Sequence, residues 1–474
     1  MSEFTSYQSP FSWRYGSKRM RQIWSESNKR LLWRKLWVCL AEAQAEFGLV
    51  TPEQVADLRA HAETLDISRA LAIEAEIRHD LMAELKTFAA QCPVGGGIIH
   101  LGATSMDIKD NTEALQIQQS LSIVLEELGE TLLVFAGQIE RHADTVCMAF
   151  THLQPAEPTT LGYRLSLYAQ DMLEDWQGLQ EMRTGLRGKG FKGAVGNGAS
   201  YIEMLGMENY SVFESRLGEK LGLTFFNAAN QTYPRRQDYM VLSLLAGLGM
   251  TLYRFAFDLR LLQSPTVGEL SEPFGEKQVG SSAMPFKRNP VKAEQIDSLA
   301  RALAGMPQVA WQNAAHSLLE RTLDDSANRR TLLPESFLIV DELLSTTTRI
   351  MNDLVVNKDA IKRNLEIYQP FAATERLLVA LTKAGANRQE MHERLRQHAM
   401  SAWKKVERGE VNDLVERLLN DMVIARYVKP EEFHILLDAQ SYLGFAPDRA
   451  RMIAKDIRNK MSLKREKKTL DSGE

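Results

Sequence analysis

The segment Gly280-Ser281-Ser282-Ala283-Met284-Pro285-Phe286-Lys287-Arg288-Asn289-Pro290 gathers small residues, two hydroxyls, a lysine and an asparagine into one short stretch. Small residues let a backbone approach a ligand closely. Exposed N–H groups around Gly280 to Ala283 can hold developing negative charge, and Lys287 adds a full positive one. Met284 and Phe286 would waste apolar surface on an ordinary loop, so a segment that closes over a ligand fits better. A second polar segment, His100 to Asp107, sets Thr104 and Ser105 ahead of a predicted helix. Free N–H groups and the positive dipole end favour an anion there, although the same residues also serve as plain capping groups. In Thr151 to Pro158, His152 stands beside two prolines at the entrance to another long helix. A histidine can exchange protons near neutral pH, though structural histidines are common too. The fourth segment, Glu320 to Arg330, carries Arg321, Arg329 and Arg330 around Ser326. These can grip a phosphate by charge-assisted bonds, or pair internally with Glu320, Asp324 and Asp325. The residue types leave both open.

Two other chemistries are disfavoured. Gly188-Lys189-Gly190-Phe191-Lys192-Gly193 matches G-x-G-x-x-G, but it follows a predicted helix and no βαβ unit surrounds it. The chain has no G-x-x-x-x-G-K-[ST] phosphate loop, and its nine histidines show no His-Glu-x-x-His metal spacing.

The elements that must position these segments read as helices nearly throughout. Leu121, Leu125, Leu128, Leu132, Phe135 and Ile139 alternate steps of four and three, the spacing of one face of a long bundled helix. Asp110 and Glu113 offer a capping box at its start. A second helix after Pro158 carries Leu165, Tyr168, Met172, Trp176 and Leu179 on one face, and the stretch 237–263 is apolar on most sides. Further helices are predicted over 291–311 and 334–356. The expected fold is all-α, with residues 1–110 an N-terminal helical domain, 111–357 a central long-helix bundle and 358–474 a C-terminal helical domain. Apolar stripes on such bundles favour oligomers. The charged tail Lys460 to Glu474 reads as a solvated or frayed end.

Whole-chain properties agree with a folded globular protein. The chain has 474 residues, room for about three domains, with 44% apolar and 25% charged residues. Lys plus Arg (57) nearly balance Asp plus Glu (61), a formal net charge of -4, which argues against a general nucleic-acid binder. Cys39, Cys92 and Cys147 are few and far apart, read as buried thiols in a reducing compartment. The polar start lacks a secretory pattern, and the apolar stretch 240–253 is shorter than the ~20 residues a bilayer needs. A soluble, cytoplasmic protein without membrane attachment is expected.

The Gly280–Pro290 segment resembles the GSSxMPxKxNP loop of the fumarase/aspartase superfamily, which includes argininosuccinate lyase, aspartase and muconate cycloisomerases. Arg14-Tyr15, Arg78-His79-Asp80-Leu81-Met82-Ala83 and the Arg321–Arg330 string resemble adenylosuccinate lyases in particular. The resemblance runs from Arg14 to the end of the predicted bundle and more loosely beyond. Argininosuccinate lyase or fumarase is the neighbouring alternative, disfavoured by the arginine string. A catalytically silent scaffold is the alternative of another class, disfavoured because Ser281, Lys287, Asn289, His152 and Glu294 are all present.

The resemblance implies a fumarase/aspartase-like homotetramer of three-domain subunits, with active sites shared between subunits. It implies small-molecule nucleotide substrates of purine biosynthesis and neither metal nor cofactor. Fumarate would leave adenylosuccinate, giving AMP, and the succinylated ribotide SAICAR, giving AICAR. Ser281 would be the general base, His152 the general acid and Glu294 the carboxylate orienting it, with Lys287 stabilising an aci-carboxylate intermediate. Thr104, Ser105, Lys287 and Asn289 would hold the succinyl carboxylates. Arg14, Tyr15, Arg321, Ser326 and Arg330 would hold the nucleotide and its phosphate. Arg78, His79 and Asp80 would line the site, with His79 near the phosphate end, and Gln231 would be a further contact. Some members carry an arginine after the residue matching Glu294, where this chain has Gln295. That missing charge can shift preference between the two substrates.

Overall fold

The computed structural model describes residues 5–472, with side chains through residue 462. The fold is all-α. Its long helices include Glu26–Glu46, Ser105–Arg141, Leu161–Gly185, Arg236–Gln263, Asp324–Asn352 and Lys358–Lys383. The chain forms two compact units, each discontinuous in sequence. The first comprises Met1–Leu128, Asp175–Met250 and Ser298–Ser345; the second comprises Gly129–Glu174, Thr251–Asp297 and Thr346–Glu474. In the first, Trp33, Trp37, Leu40, Phe88, Phe191, Tyr201 and Phe213 close one apolar core. In the second, Leu377, Leu381, Met391, Leu414, Ile424 and Phe433 form another.

The seam from Leu121 to Ile139 is fully buried, as its spacing requires. The start of its helix is not where the sequence placed it. The helix begins at Ser105, so Asp110 lies inside it, and the Asp110 carboxylate accepts from the Tyr233 N–H at 2.7 Å instead of capping anything. The real cap is one turn earlier: Asp107, the third helical residue, reaches back to the Thr104 N–H at 3.0 Å. Pro334 also misled. It sits inside the helix Asp324–Asn352 rather than opening one. An interior proline loses the N–H that would meet the carbonyl four residues back and crowds that carbonyl with its ring, a cost that a long packed helix absorbs. The stretch predicted over 291–311 is two helices, Val291–Ala304 and Met306–Ala315, divided at Gly305 with Pro307 in the first turn of the second.

One hairpin went unseen. Val146–Thr151 pairs antiparallel with Gln154–Thr160 through Thr151 opposite Gln154, and Leu161–Gly185 begins only afterwards. Pro155 and Pro158 argue against a central strand, but this is a lone two-stranded pair with edges to spare. The helix Arg236–Gln263 spans 28 residues, long and apolar enough by composition to cross a membrane, so the shortness expected of its apolar stretch does not hold. Half of its apolar window is buried within the protein, and Arg254 on it pairs with Asp171 at 3.0 Å, as befits a core helix. The three cysteines are buried and unpaired, and burial pushes each thiol up to about 11. The tail's side chains beyond residue 462 lie outside the described residues.

Candidate active site

Among the described residues, the non-glycine positions with left-handed backbone are Arg78, His100, His152, Leu153 and Leu319. Each lies in or beside a segment singled out for chemistry. Such conformations cost roughly 1–3 kcal/mol apiece and persist where surroundings over-determine them.

The first unit carries most of the proposed binding groups. Arg78 ends the helix Ile67–Ile77 at φ 54°, turning the chain so that His79 caps the helix Asp80–Gln91, its Nδ1 accepting from the Met82 N–H at 3.3 Å. That leaves His79 Nε2 3.5 Å from the Ser105 hydroxyl. Asp80 takes both carboxylate oxygens to Lys109, at 3.0 and 2.8 Å, and lies 3.4 Å from Arg330. Burial alone would raise the Asp80 carboxyl, but Lys109 outweighs it and holds it below the usual carboxylate range. The structure thus joins His79, Asp80, Ser105 and Arg330, and adds Lys109. Lys109 was missed in the sequence, although it stands four residues after Ser105 and so on the same helix face.

The arginine string divides between the two uses left open for it. Arg329 is buried and structural: it bonds Asp238 at 2.8 Å and the Tyr233 hydroxyl at 2.8 Å, and pairs with Glu113 at 2.6 Å. Arg321 pairs with Asp325 at 2.9 Å, and Asp325 is also held by Arg235, which forks onto both oxygens of Asp110 at 3.1 Å. Arg235, Arg329 and Arg321 overcome the effect of burial and keep the Asp325 carboxyl depressed. Arg330 keeps 61% of its side chain exposed, available to an anion. Ser326 sits in the first turn of Asp324–Asn352, not in a loop, its N–H on the Leu323 carbonyl at 3.1 Å. Gln231 lies alongside this entrance, its N–H bonded to the Glu320 carbonyl at 3.1 Å. Arg14 stacks over Tyr15 at 5.9 Å, and the next residue, Gly16, is anchored by its N–H on Glu342 at 3.1 Å.

The second unit carries the proposed proton-transfer groups. His152 and Leu153, at φ 53° and 60°, are the two central residues of the hairpin turn, a tight conformation usually left to Asn and Gly. This turn, rather than a helix entrance, fixes His152, and it holds the imidazole out at an exposed tip. In the Gly280–Pro290 loop, the Ser281 hydroxyl oxygen accepts from the N–H groups of Met284 at 3.0 Å and Ala283 at 3.3 Å. Donors aimed at that oxygen favour negative charge on it. The base of the loop is tight. A Cβ on Gly280 would lie 2.0 Å from the Lys287 carbonyl oxygen, and the Asn289 amide bonds the Gly280 carbonyl at 3.2 Å. Met284 and Phe286 stand exposed, the latter at 82%. Glu272, buried, accepts the Lys292 and Ala293 N–H groups and so seats the helix Val291–Ala304 that bears Glu294. Glu294 faces Arg260 at 4.0 Å. No hydrogen bond joins Glu294 to His152 among the described residues of one chain.

Comparison with known proteins meets this geometry. A family described as "Lyase" matches residues 12–305, and one described as "Adenylosuccinate lyase C-terminus" matches residues 370–451. The chain belongs to the adenylosuccinate lyase family. The adenylosuccinate lyase of Saccharomyces cerevisiae is 39% identical over 471 residues, 97% of this chain and 96% of the relative. That of Schistosoma mansoni is 39% identical over 432 residues, 90% of each. In structure, the 3-carboxy-cis,cis-muconate lactonizing enzyme of Pseudomonas putida superposes with a TM-score of 0.84 at 26% identity, covering 95% of this chain and 100% of that one. The chain is therefore a lyase with the fumarase/aspartase-like fold of its family.

Proposed function

We propose that the protein eliminates fumarate from adenylosuccinate and from SAICAR, releasing AMP and AICAR, as a cytoplasmic homotetramer that needs no cofactor. The substrate class, small succinylated nucleotides, follows from the family. The observation that carries the mechanism is the pair of N–H donors on the Ser281 oxygen. A serine is a weak base unless its alkoxide is stabilised, and these donors, with Lys287, supply that stabilisation.

Ser281 takes the proton beside the succinyl carboxylate, and the electron pair left behind is held as an aci-carboxylate by Lys287 and the loop N–H groups. That pair then forms the C=C bond of fumarate as the C–N bond breaks. His152 gives its proton to the departing nitrogen, and proton return from Ser281 to His152 through solvent resets the site. Thr104, Ser105 and Asn289 hold the carboxylates. Arg330, Arg321, Ser326, His79 and Arg78 hold the phosphate end, with Arg14, Tyr15, Asp80 and Gln231 around the nucleoside. Glu294 orients His152 across a subunit boundary, in keeping with the shared active sites that the family resemblance implies. Fumarate release from each substrate, assayed separately, tests the function. Ser281→Ala with fold and oligomer intact should lose at least about 100-fold in kcat; near-normal turnover removes Ser281 as base.

A further inference from the structure

The stretch Gly188–Gly193 resembles an anion-binding glycine loop but plays no part in the chemistry above. It does bind an anion, and that anion is the protein's own. The buried carboxylate of Asp107 accepts from the N–H groups of Lys192 and Gly193, both at 3.2 Å, and from the ammonium of the fully buried Lys189. Lys189 also bonds the Gly193 carbonyl at 2.9 Å. One turn along the same helix face, Asn111 clamps Gly190 by both its N–H and its carbonyl, at 3.1 Å each. Successive N–H groups aimed at one carboxylate form a small anion nest.

The same carboxylate also serves the loop that ends in Thr104 and Ser105. Asp107 Oδ2 accepts the Thr104 N–H at 3.0 Å and lies 3.4 Å from the Tyr201 hydroxyl. That loop turns through two left-handed residues, His100 at φ 72° and Gly102 at φ 76°, with the Ala103 N–H closing on the His100 carbonyl at 3.0 Å, and it is anchored from several sides. Trp37 donates to His100 Nδ1 at 3.0 Å, Gln44 to the Leu101 carbonyl at 2.9 Å, and Ser200 to the Gly102 carbonyl at 2.7 Å. Burial lowers the His100 pKa, in keeping with an imidazole that accepts from Trp37. Ser200 and Tyr201 lie on the helix Ala199–Leu205, which begins six residues after Gly193. The glycine stretch, that helix and the loop therefore converge on one carboxylate.

We infer that Asp107, with its counter-ion Lys189, is a positioning residue for the dicarboxylate end of the substrate. It fixes the Thr104 backbone and with it the hydroxyls of Thr104 and Ser105. This rests on the proposed lyase function, in which those hydroxyls hold the succinyl group. A displacement near 1 Å in such a subsite costs on the order of 100-fold in the worst case, and loss of the Asp107 charge pair should fall within that span.

The test is product inhibition of the oligomeric enzyme by fumarate and by AMP, each alone. The charge-balanced double variant Lys189→Met with Asp107→Asn should weaken fumarate inhibition by about 10-fold or more and leave AMP within about 2-fold. Equal loss for both products, or no loss for fumarate, overturns the inference, because a general structural defect does not separate the two ends of the substrate. If the double variant does not fold, Ser200→Ala removes a single bond at an exposed side chain and should shift fumarate alone, by about 3-fold; an unchanged or evenly shifted response overturns it. A wild-type enzyme that releases no fumarate from either substrate refutes instead the function on which the inference stands.

Discussion

The division of the arginine string predicts opposite phenotypes for neighbouring residues. Arg329 is buried against Asp238, Glu113 and Tyr233, with contacts of 2.6 to 2.8 Å. In Arg329→Met, the buried Asp238 and the partly buried Glu113 lose their shared cation. Breaking a buried pair of this kind costs about 3–5 kcal/mol. Against the ~5–15 kcal/mol that holds a typical domain together, that is roughly a fifth or more. Arg330, by contrast, keeps 61% of its side chain exposed and touches Asp80 only at 3.4 Å. Arg330→Gln should change stability by no more than about 0.5 kcal/mol. Losing one charge-assisted bond to a phosphate costs about 1.5–3 kcal/mol, so KM should rise roughly 10- to 150-fold. The assay pairs the urea midpoint, at fixed protein concentration, with KM for adenylosuccinate. An Arg329→Met enzyme as stable as wild type, or an Arg330→Gln enzyme with unchanged KM, would refute the division.

The hairpin that bears His152 yields two further expectations. The hydrogen bond that protonated Glu157 donates to Glu375, with burial and the like charge behind it, pushes the Glu157 carboxyl up to about 7 from 4.5. Between those values the folded chain keeps a proton that the unfolded chain has lost, so this pair stabilises most at low pH and its contribution fades as pH rises towards 7. Glu157→Gln should therefore lose less stability than wild type between pH 5 and pH 8, and equal losses would count against the shared proton. At the hairpin tip, Leu153 holds φ 60° without the freedom of glycine. Leu153→Gly should raise stability by about 1 kcal/mol, read as a higher unfolding midpoint, and a decrease would contradict the left-handed turn.

The sequence alone determined the helical class, because the seam from Leu121 to Ile139 can be buried only on a helix. The Gly280–Pro290 loop was legible for a similar reason: few purposes need those residue types at that density. What stayed hidden depended on partners distant in sequence. Pro155 and Pro158 hid a hairpin, since a proline forbids a central strand but not an exposed edge. The Arg321–Arg330 string could not be divided until Asp238 and Glu113 came to Arg329 and left Arg330 exposed. The glycine stretch 188–193 was rightly rejected as a dinucleotide loop, and only folding showed that its N–H groups hold the Asp107 carboxylate. Periodicity and local motifs act over a few residues and are written in the chain. Which charge meets which across 80 or 90 residues is decided by packing, because a buried charge takes whatever partner the fold brings within reach.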